Sequence, residues 1–472
     1  MTLLTRCFFV GQGDVLGLLA HRQQQLYLTA LAIAAFVSTL PVSFRDNAAS
    51  AAGFALREYS LTTASTSFAG ASAGTGSPDF LAHNPASSMD VVGWDMQVTA
   101  NAIYAHSDAS FGTATTSTGA ALSGSYSPDG FIQNAIEPGL AFRMRLSERW
   151  TAGLSVSAPW GLGTLYDRNW AGRYYAVESR LLTVNVSPSV TWQATDTLAI
   201  SGGLQVQYAQ GVLSNAIDFG TIGAGFGVPG ALPGQQDGFA EFEATDWATG
   251  YRLGLIWKPV DTLSLGLAHR SQVSHTLNGD VAFTLDTAGT GATLAGLSGA
   301  FADTSGSARL DLPSVTSAGF AWKATEALTL LGEVSYTDWS TIRELRIRFD
   351  NPLQPDSYQT YNWSDAWMIS AGASYDVSPE WTLRAGAAID ETPTTDATRD
   401  ARIPDATRTW LSFSVEHHIT PTASVQLGYA KLMFPEEPIA LSAASAGNET
   451  RGNLVGTTDA DADMISIQLT LR

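Results

Sequence analysis

A short polar phrase recurs six times along the chain, and each time an alternating strand follows at once. It reads Ser147-Glu148-Arg149-Trp150-Thr151, Thr195-Asp196-Thr197-Leu198-Ala199 and Val260-Asp261-Thr262-Leu263-Ser264. It returns as Thr325-Glu326-Ala327-Leu328-Thr329, Ser378-Pro379-Glu380-Trp381-Thr382 and, more loosely, Thr420-Pro421-Thr422-Ala423-Ser424. Asp, Pro, Ser and Thr suit tight turns because they fix φ or bond their own backbone. The flanking segments alternate with period two. Leu383, Ala385, Ala387 and Ile389 share one face after Trp381, and Leu198, Ile200, Leu204, Val206 and Tyr208 interleave with Ser201, Gly203, Gln205 and Gln207. Ile465, Ile467, Leu469 and Leu471 close the chain in the same way.

A strand with one apolar and one polar face fits either a soluble sandwich or a barrel whose apolar side meets lipid. Loop asymmetry favours the barrel. The six turns are short, while the connections at the opposite ends are long, at 107–130, 161–178, 214–244, 285–306, 343–362, 392–406 and 435–457. Short turns at one end and long loops at the other mark bacterial outer-membrane barrels. Six turns and seven loops predict a 14-stranded antiparallel transmembrane β-barrel over residues 91–472, its first strand at about Val91–His106. Trp150, Trp192, Trp257, Trp322, Tyr375 and Trp381 stand beside the short turns as one interfacial girdle. Only 15% of residues are charged against 45% hydrophobic, and no stretch after residue 52 approaches the roughly 18 apolar residues of a spanning helix.

The chain starts with a different kind of segment. His21 and Arg22 precede an uncharged run from Leu26 to Leu40, and Ala49-Ser50-Ala51 fits a small-residue cleavage site. Residues 1–51 are therefore expected to be a signal peptide, with the true translation start left open, and with them would go Cys7, the only cysteine. Thiol and disulfide chemistry is then excluded from the mature chain. The formal charge of −19 argues against nucleic-acid binding, which needs a basic face. A fourteen-stranded barrel is too wide for its wall side chains to fill. Residues 52–90 do not alternate and are rich in Ala, Ser, Gly and Thr, so they are expected to form a small plug in the lumen, or else a disordered periplasmic tail.

Two stretches, each of three pieces, resemble a known family. Ala52-Gly53-Phe54-Ala55-Leu56-Arg57-Glu58-Tyr59-Ser60, with Ala69-Gly70 and Asn84-Pro85-Ala86, is similar to the mature N-terminus of the FadL-type outer-membrane long-chain fatty acid transporters. Ala158-Pro159-Trp160-Gly161-Leu162-Gly163, Trp170-Ala171-Gly172-Arg173-Tyr174 and Asn185-Val186-Ser187-Pro188-Ser189-Val190 are also similar. The likeness covers the chain from residue 52. It departs at the end, Leu471-Arg472, where many barrels finish on an aromatic residue, and in the loops, which select ligands. The resemblance implies uptake of hydrophobic molecules through the outer membrane of a Gram-negative cell, above all of long-chain fatty acids. Aromatic hydrocarbons in the same fold, or a general diffusion pore, are the alternatives. It also implies an N-terminal hatch and a lateral exit at a kinked third strand.

Candidate residues follow from the cargo. Apolar side chains in loops that face water need an explanation. Phe219, Ile222, Phe226, Val228, Leu232, Phe239 and Phe242 in one loop and Leu285, Leu294, Leu297 and Phe301 in another are expected to form a landing surface, or simply to pack on each other. Arg173 is the candidate for a carboxylate, because a guanidinium fork suits one. Tyr174 would assist it, and Asp167 and Glu178 are its competing partners. Phe54 and Trp160 are further ligand candidates. Pro159 and Gly161 are expected to break the third strand and leave a gap facing Asn84, Pro85 and Ala86. No catalytic constellation, metal set or cofactor motif is legible: the seven histidines are scattered, and His417-His418 adjoins a turn. Asp459, Asp461 and Asp463 share a strand face but lack the rest of a calcium loop, so they read as an acidic rim facing solvent or lipopolysaccharide. The expected partners are the hydrophobic ligand, outer-membrane lipid and lipopolysaccharide, and the barrel-assembly machinery, with the protein a monomer.

Overall fold

The computed structural model describes residues 53–472, so the expected signal peptide at 1–51 lies outside the described residues. Fourteen antiparallel strands make a closed wall. They are β1 (Trp94–Thr115), β2 (Ala135–Arg145), β3 (Trp150–Ser157 and Gly161–Leu165), β4 (Glu178–Thr195), β5 (Leu198–Asp218), β6 (Asp237–Val260) and β7 (Leu263–Arg270 and Val273–Thr284). The circuit continues with β8 (Thr304–Leu312 and Val315–Lys323), β9 (Leu328–Thr337 and Glu344–Phe349), β10 (Ser357–Thr360 and Ala366–Ser378) and β11 (Trp381–Asp390). It ends with β12 (Arg408–Thr420), β13 (Ala423–Met433 and Glu437–Leu441) and β14 (Asn453–Leu471). Each strand pairs with the next, and β1 pairs with β14 from Met96↔Leu471 to Thr115↔Asn453, which closes the cylinder.

The period-two pattern sorts the side chains as lipid demands. Ile465, Ile467 and Leu469 are exposed on the outside, while Ser466, Gln468 and Thr470 are buried inside. Trp150, Trp192, Trp257, Trp322, Tyr375 and Trp381 are all exposed beside the short turns, as a single girdle requires. The strands run further than the alternation suggested. β1 reaches Thr115 and β6 starts at Asp237, so the long loops are shorter than expected, and Phe239 and Phe242 stand on a strand, with Phe242 buried. Ladder hydrogen bonds outside the lipid belt hold these extensions without needing an apolar face, and for that reason composition did not reveal them.

Residues 53–91 fold into short turns against the inner side of the wall: α1 (Leu61–Ala64) and 3-10 turns at Pro78–Ala82 and Pro85–Asp90. Many of the contacts are polar, and they come from around the circuit. Leu61 N–H donates to Gln468 Oε1 at 3.1 Å, Ser67 shares a hydrogen bond with Ser412 at 2.7 Å, and Ser72 Oγ donates to Glu333 Oε2 at 2.9 Å. A polar segment here matches the polar inner faces of the strands. Two wall glycines permit the close approach: a Cβ on Gly386 would lie 2.1 Å from the Thr66 carbonyl oxygen, and one on Gly266 2.0 Å from that of Ser72.

Candidate functional site

The third strand is broken where Pro159 and Gly161 were expected to break it. β2 and β3 pair from Leu140↔Val156 to Arg145↔Thr151, but Ala158–Trp160 leave the ladder and the upper piece of β3 pairs with β4 alone. Pro159 has no N–H to offer a neighbour. The start of the described chain fills the vacancy. Leu56 N–H donates to the Pro159 carbonyl at 3.0 Å, Gly161 N–H donates to the Phe54 carbonyl at 2.9 Å, and Ala55 bridges Trp160 antiparallel. Above the break, β3 is rejoined by the preceding loop through Gln133 N–H to Gly163 O at 2.9 Å. Residues 135–139 of β2 therefore face an interruption in the wall.

Asn84-Pro85-Ala86 sits elsewhere. Asn84 Nδ2 donates to Ser72 O at 2.6 Å, Leu255 O at 3.1 Å and Leu267 O at 3.3 Å, while its Oδ1 accepts from Ala86 N–H at 2.9 Å. Thr191 Oγ1 donates to Pro85 O at 2.8 Å. The motif thus anchors the N-terminal segment to β4, β6 and β7, and the residues beside the break are Phe54–Leu56.

Phe54 belongs to a buried aromatic cluster. Its ring lies 5.9 Å from Trp160, 4.9 Å from Trp339 and 5.5 Å from Trp363. Above it opens a cavity of about 520 Å³ lined by Phe54, Leu162, Leu181, Leu277, Leu310, Ile342, Leu345 and Ile403. A second cavity of about 360 Å³ lies toward the loops, lined by Tyr174, Ile222, Phe242, Val281, Phe301, Ile347 and Phe349. Leu213, Leu345 and Arg402 line both.

Two arginines that sequence reasoning missed hold the polar end of this space. Arg402 is buried in the 391–407 loop and donates to Glu178 O, Ser179 Oγ, Ser214 O and Asn215 Oδ1. Arg451, in the 442–452 loop, reaches Gln359 and Ser357. Neither forms a direct ion pair among the described residues, and one buried carboxylate, Asp400, acts on both from nearby. Burial lowers the pKa of both. Arg451 falls to about 10, with Arg402 adding repulsion. An anion between them would relieve both effects.

Arg173 is buried with a partner of its own. Its Nε donates to Asp237 Oδ2 at 2.6 Å, Nη1 donates to Ser123 O at 2.8 Å, and Tyr174 OH donates to Asp237 Oδ1 at 2.5 Å. Its carboxylate is thus Asp237, and neither Asp167 nor Glu178. The two apolar loops form short helices, α2 (Phe219–Gly225) and α3 (Thr290–Ser298), that pack on each other. Phe219 and Leu294 are buried between them, and Phe219 meets Phe301 edge-on at 5.0 Å. Phe226 and Leu297 are left 78% and 75% exposed. Asp461 and Asp463 both bond Lys431, at 2.5 and 3.1 Å.

A closed barrel with a lipid-facing apolar exterior, apolar cavities and a broken third strand defines an outer-membrane transport protein. The chain belongs to the outer membrane protein transport protein family (OMPP1/FadL/TodX), which matches residues 42–472. It is 26% identical over 466 residues to an outer membrane protein of Neisseria meningitidis serogroup B, covering 94% of this chain and 100% of that protein. It is also 26% identical to the long-chain fatty acid transport protein of Escherichia coli O6:H1, over 80% of this chain and 86% of that one. Among solved structures, a FadL homologue of Pseudomonas aeruginosa superposes with a TM-score of 0.81 at 23% identity, covering 89% of this chain and 99% of that one. The Pseudomonas putida toluene transporter TodX superposes at 0.62 and 17%, covering 86% and 98%. Both likenesses show the fold.

Proposed function

We propose that this protein takes up long-chain fatty acids, with the acyl tail in the lower cavity and the carboxylate between Arg402 and Arg451. The observation that carries this reading is the placement of two arginines, Arg402 buried and Arg451 half-buried, around a single buried carboxylate, Asp400, which leaves one positive charge in excess at the head of an apolar space. At about 520 Å³, the lower cavity is in the range of roughly 300–1,000 Å³ typical of ligand pockets. Burying a sixteen-carbon tail at about 0.8 kcal/mol per CH₂ contributes roughly 12 kcal/mol, which favours capture and makes release the harder step.

Capture begins at Phe226 and Leu297, whose exposure on packed loop helices offers an apolar surface to water. Release runs sideways. Phe54 forms the floor of the cavity and its carbonyl holds Gly161, so a tail that displaces Phe54 also loosens the bridge closing the third strand. Each backbone hydrogen bond lost there costs only about 1 kcal/mol net. Residues 53–91 act as the hatch, and their contacts around the circuit weigh against an open pore for polar solutes. The toluene transporters of like fold keep aromatic hydrocarbons as a second reading, for which the Phe54–Trp160–Trp339–Trp363 cluster is a suitable surface.

Arg402→Met separates these readings. Oleate and oleyl alcohol are titrated against detergent-purified protein by quenching of Trp fluorescence. The substitution is expected to weaken oleate at least tenfold, since a charge-assisted hydrogen bond contributes about 1.5–3 kcal/mol, and to leave the alcohol unchanged. Equal losses for both ligands, or none for either, would refute the carboxylate site.

A further inference from the structure

Several ladders of the wall pause where a strand is split, and one of these gaps, between β8 and β9, adjoins the lower cavity. Their ladder runs from Gly306↔Phe349 to Ala308↔Ile347, stops, and resumes only at Val315↔Thr337. Between these points β9 detours through the 3-10 turn Trp339–Thr341, while residues 309–314 of β8 keep one backbone contact across, Asp338 N–H to Ser314 O at 3.1 Å. The lower cavity reaches this slit. Its lining includes Arg309, Leu310 and Asp311 on one lip and Thr341, Ile342 and Arg343 on the other.

The level of the slit is fixed by the aromatic belt on the loop side of the wall. His269, Thr316, Tyr336 and Trp367 lie in register across β7 to β10, with Tyr336 and Trp367 in ring contact at 4.9 Å. Val315 and Thr337 adjoin that row, and the slit opens directly beyond it, at the headgroup level of the outer leaflet. Its rim is rich in charge, four arginines against Asp311, Asp338, Glu344 and Asp356, with two of the arginines left over from the ion pairs. Arg309 pairs with Asp311 at 2.8 Å, and Arg346 pairs with Glu344 at 2.6 Å and Asp356 at 3.3 Å. Arg343 and Arg348 are exposed and have no carboxylate within ion-pair distance among the described residues.

An apolar cavity that opens sideways through an arginine rim, at the depth where lipid headgroups lie, suits an anionic amphiphile already dissolved in the membrane. We infer that the β8–β9 slit is a lateral entrance by which such amphiphiles pass from the outer leaflet into the lower cavity, tail first, without crossing water. The inference rests on the cavity being the ligand site. It is distinct from the break in β3, which lies elsewhere in the circuit and is covered by Phe54–Leu56.

The test uses the protein reconstituted in lipid vesicles and 16-doxyl-stearate, whose nitroxide quenches the tryptophans beneath the cavity. The probe is offered either preloaded in the vesicle membrane or as monomer from water, and quenching is followed by stopped flow. Arg343→Glu with Arg348→Glu is expected to slow membrane-delivered capture roughly tenfold, the lower end of electrostatic steering effects. Both arginines also line the cavity, so some slowing common to the two routes is expected, but water-delivered capture should slow several-fold less than membrane-delivered capture, and capture of the methyl ester should show no such difference between routes. Equal slowing of both routes would make the two arginines part of the binding site, and no slowing of either would make the slit idle; both results overturn the entrance. If the unsubstituted protein is quenched by neither route, the cavity reading itself falls.

Discussion

Asn84 ties the N-terminal segment to three wall strands through a single amide, and its removal can be followed quantitatively. Asn84→Ala deletes three donated hydrogen bonds, to Ser72, Leu255 and Leu267, and one accepted from Ala86. The amide has two hydrogens for its three acceptors, so about three full bonds are lost, and at about 1 kcal/mol net for each the seating of the segment weakens by about 3 kcal/mol. Each 1.4 kcal/mol is about tenfold in an equilibrium, so the unseated population rises roughly a hundredfold. The barrel ladders are untouched, and the melting of the strands should scarcely move. Hydrogen exchange at the Ala86 and Ser87 amides in detergent micelles reads the change directly, since both donate to Asn84. Asn84→Asp is the sharper case. It keeps the acceptor for Ala86 but turns an oxygen toward three carbonyls, so exchange should be faster still. Acceleration below tenfold for the alanine variant, or a milder effect from aspartate than from alanine, would refute the amide as the anchor.

Two further outcomes are expected. Replacing Pro159 and Gly161 with Val should cut oleate uptake by cells several-fold while assembled barrel remains normal, because a Cβ on Gly161 would meet Leu56 Cδ1 at 2.5 Å and a regular strand would seal the break; undiminished uptake would dispose of the lateral exit. Asp405 accepts from Gly53 N–H at 2.9 Å, and burial raises its carboxyl to about 6, so the stability it contributes is full below its ordinary value near 4 and is lost as pH rises through 6. Proteolytic release of the N-terminal segment should therefore increase across that window, and in Asp405→Asn it should be flat.

The wall was legible in the sequence because its physics is periodic. Alternation at Leu198–Tyr208 and Ile465–Leu471, and the polar phrase at each short turn, repeat a rule that lipid imposes on every strand. The break at Pro159 and Gly161 was legible because those two residues carry backbone meaning by themselves. The interior was less so. Arg402 and Arg451 lie in loops without periodicity, and nothing local distinguishes them from solvated arginines; only the folding of 391–407 over the cavity buries Arg402. The partner of Arg173, Asp237, is far along the chain, whereas Asp167 and Glu178 were near in sequence. Likewise Asn84 bonds β6 and β7 rather than the neighbourhood of the third strand, a placement set by tertiary packing alone.

The seam between β1 and β14 has a consequence for biogenesis. It joins Met96 to Leu471, almost the full length of the described chain, so it is the pairing with the greatest loop-closure cost and the slowest to form. Residues 53–91 directly precede β1 and end up enclosed by the ring. They can be tucked inward while the ring is still a curved ribbon, or enter through an end of the finished cylinder without reopening the seam. The architecture thereby sets which joint is made last and leaves the filling free to come before or after it.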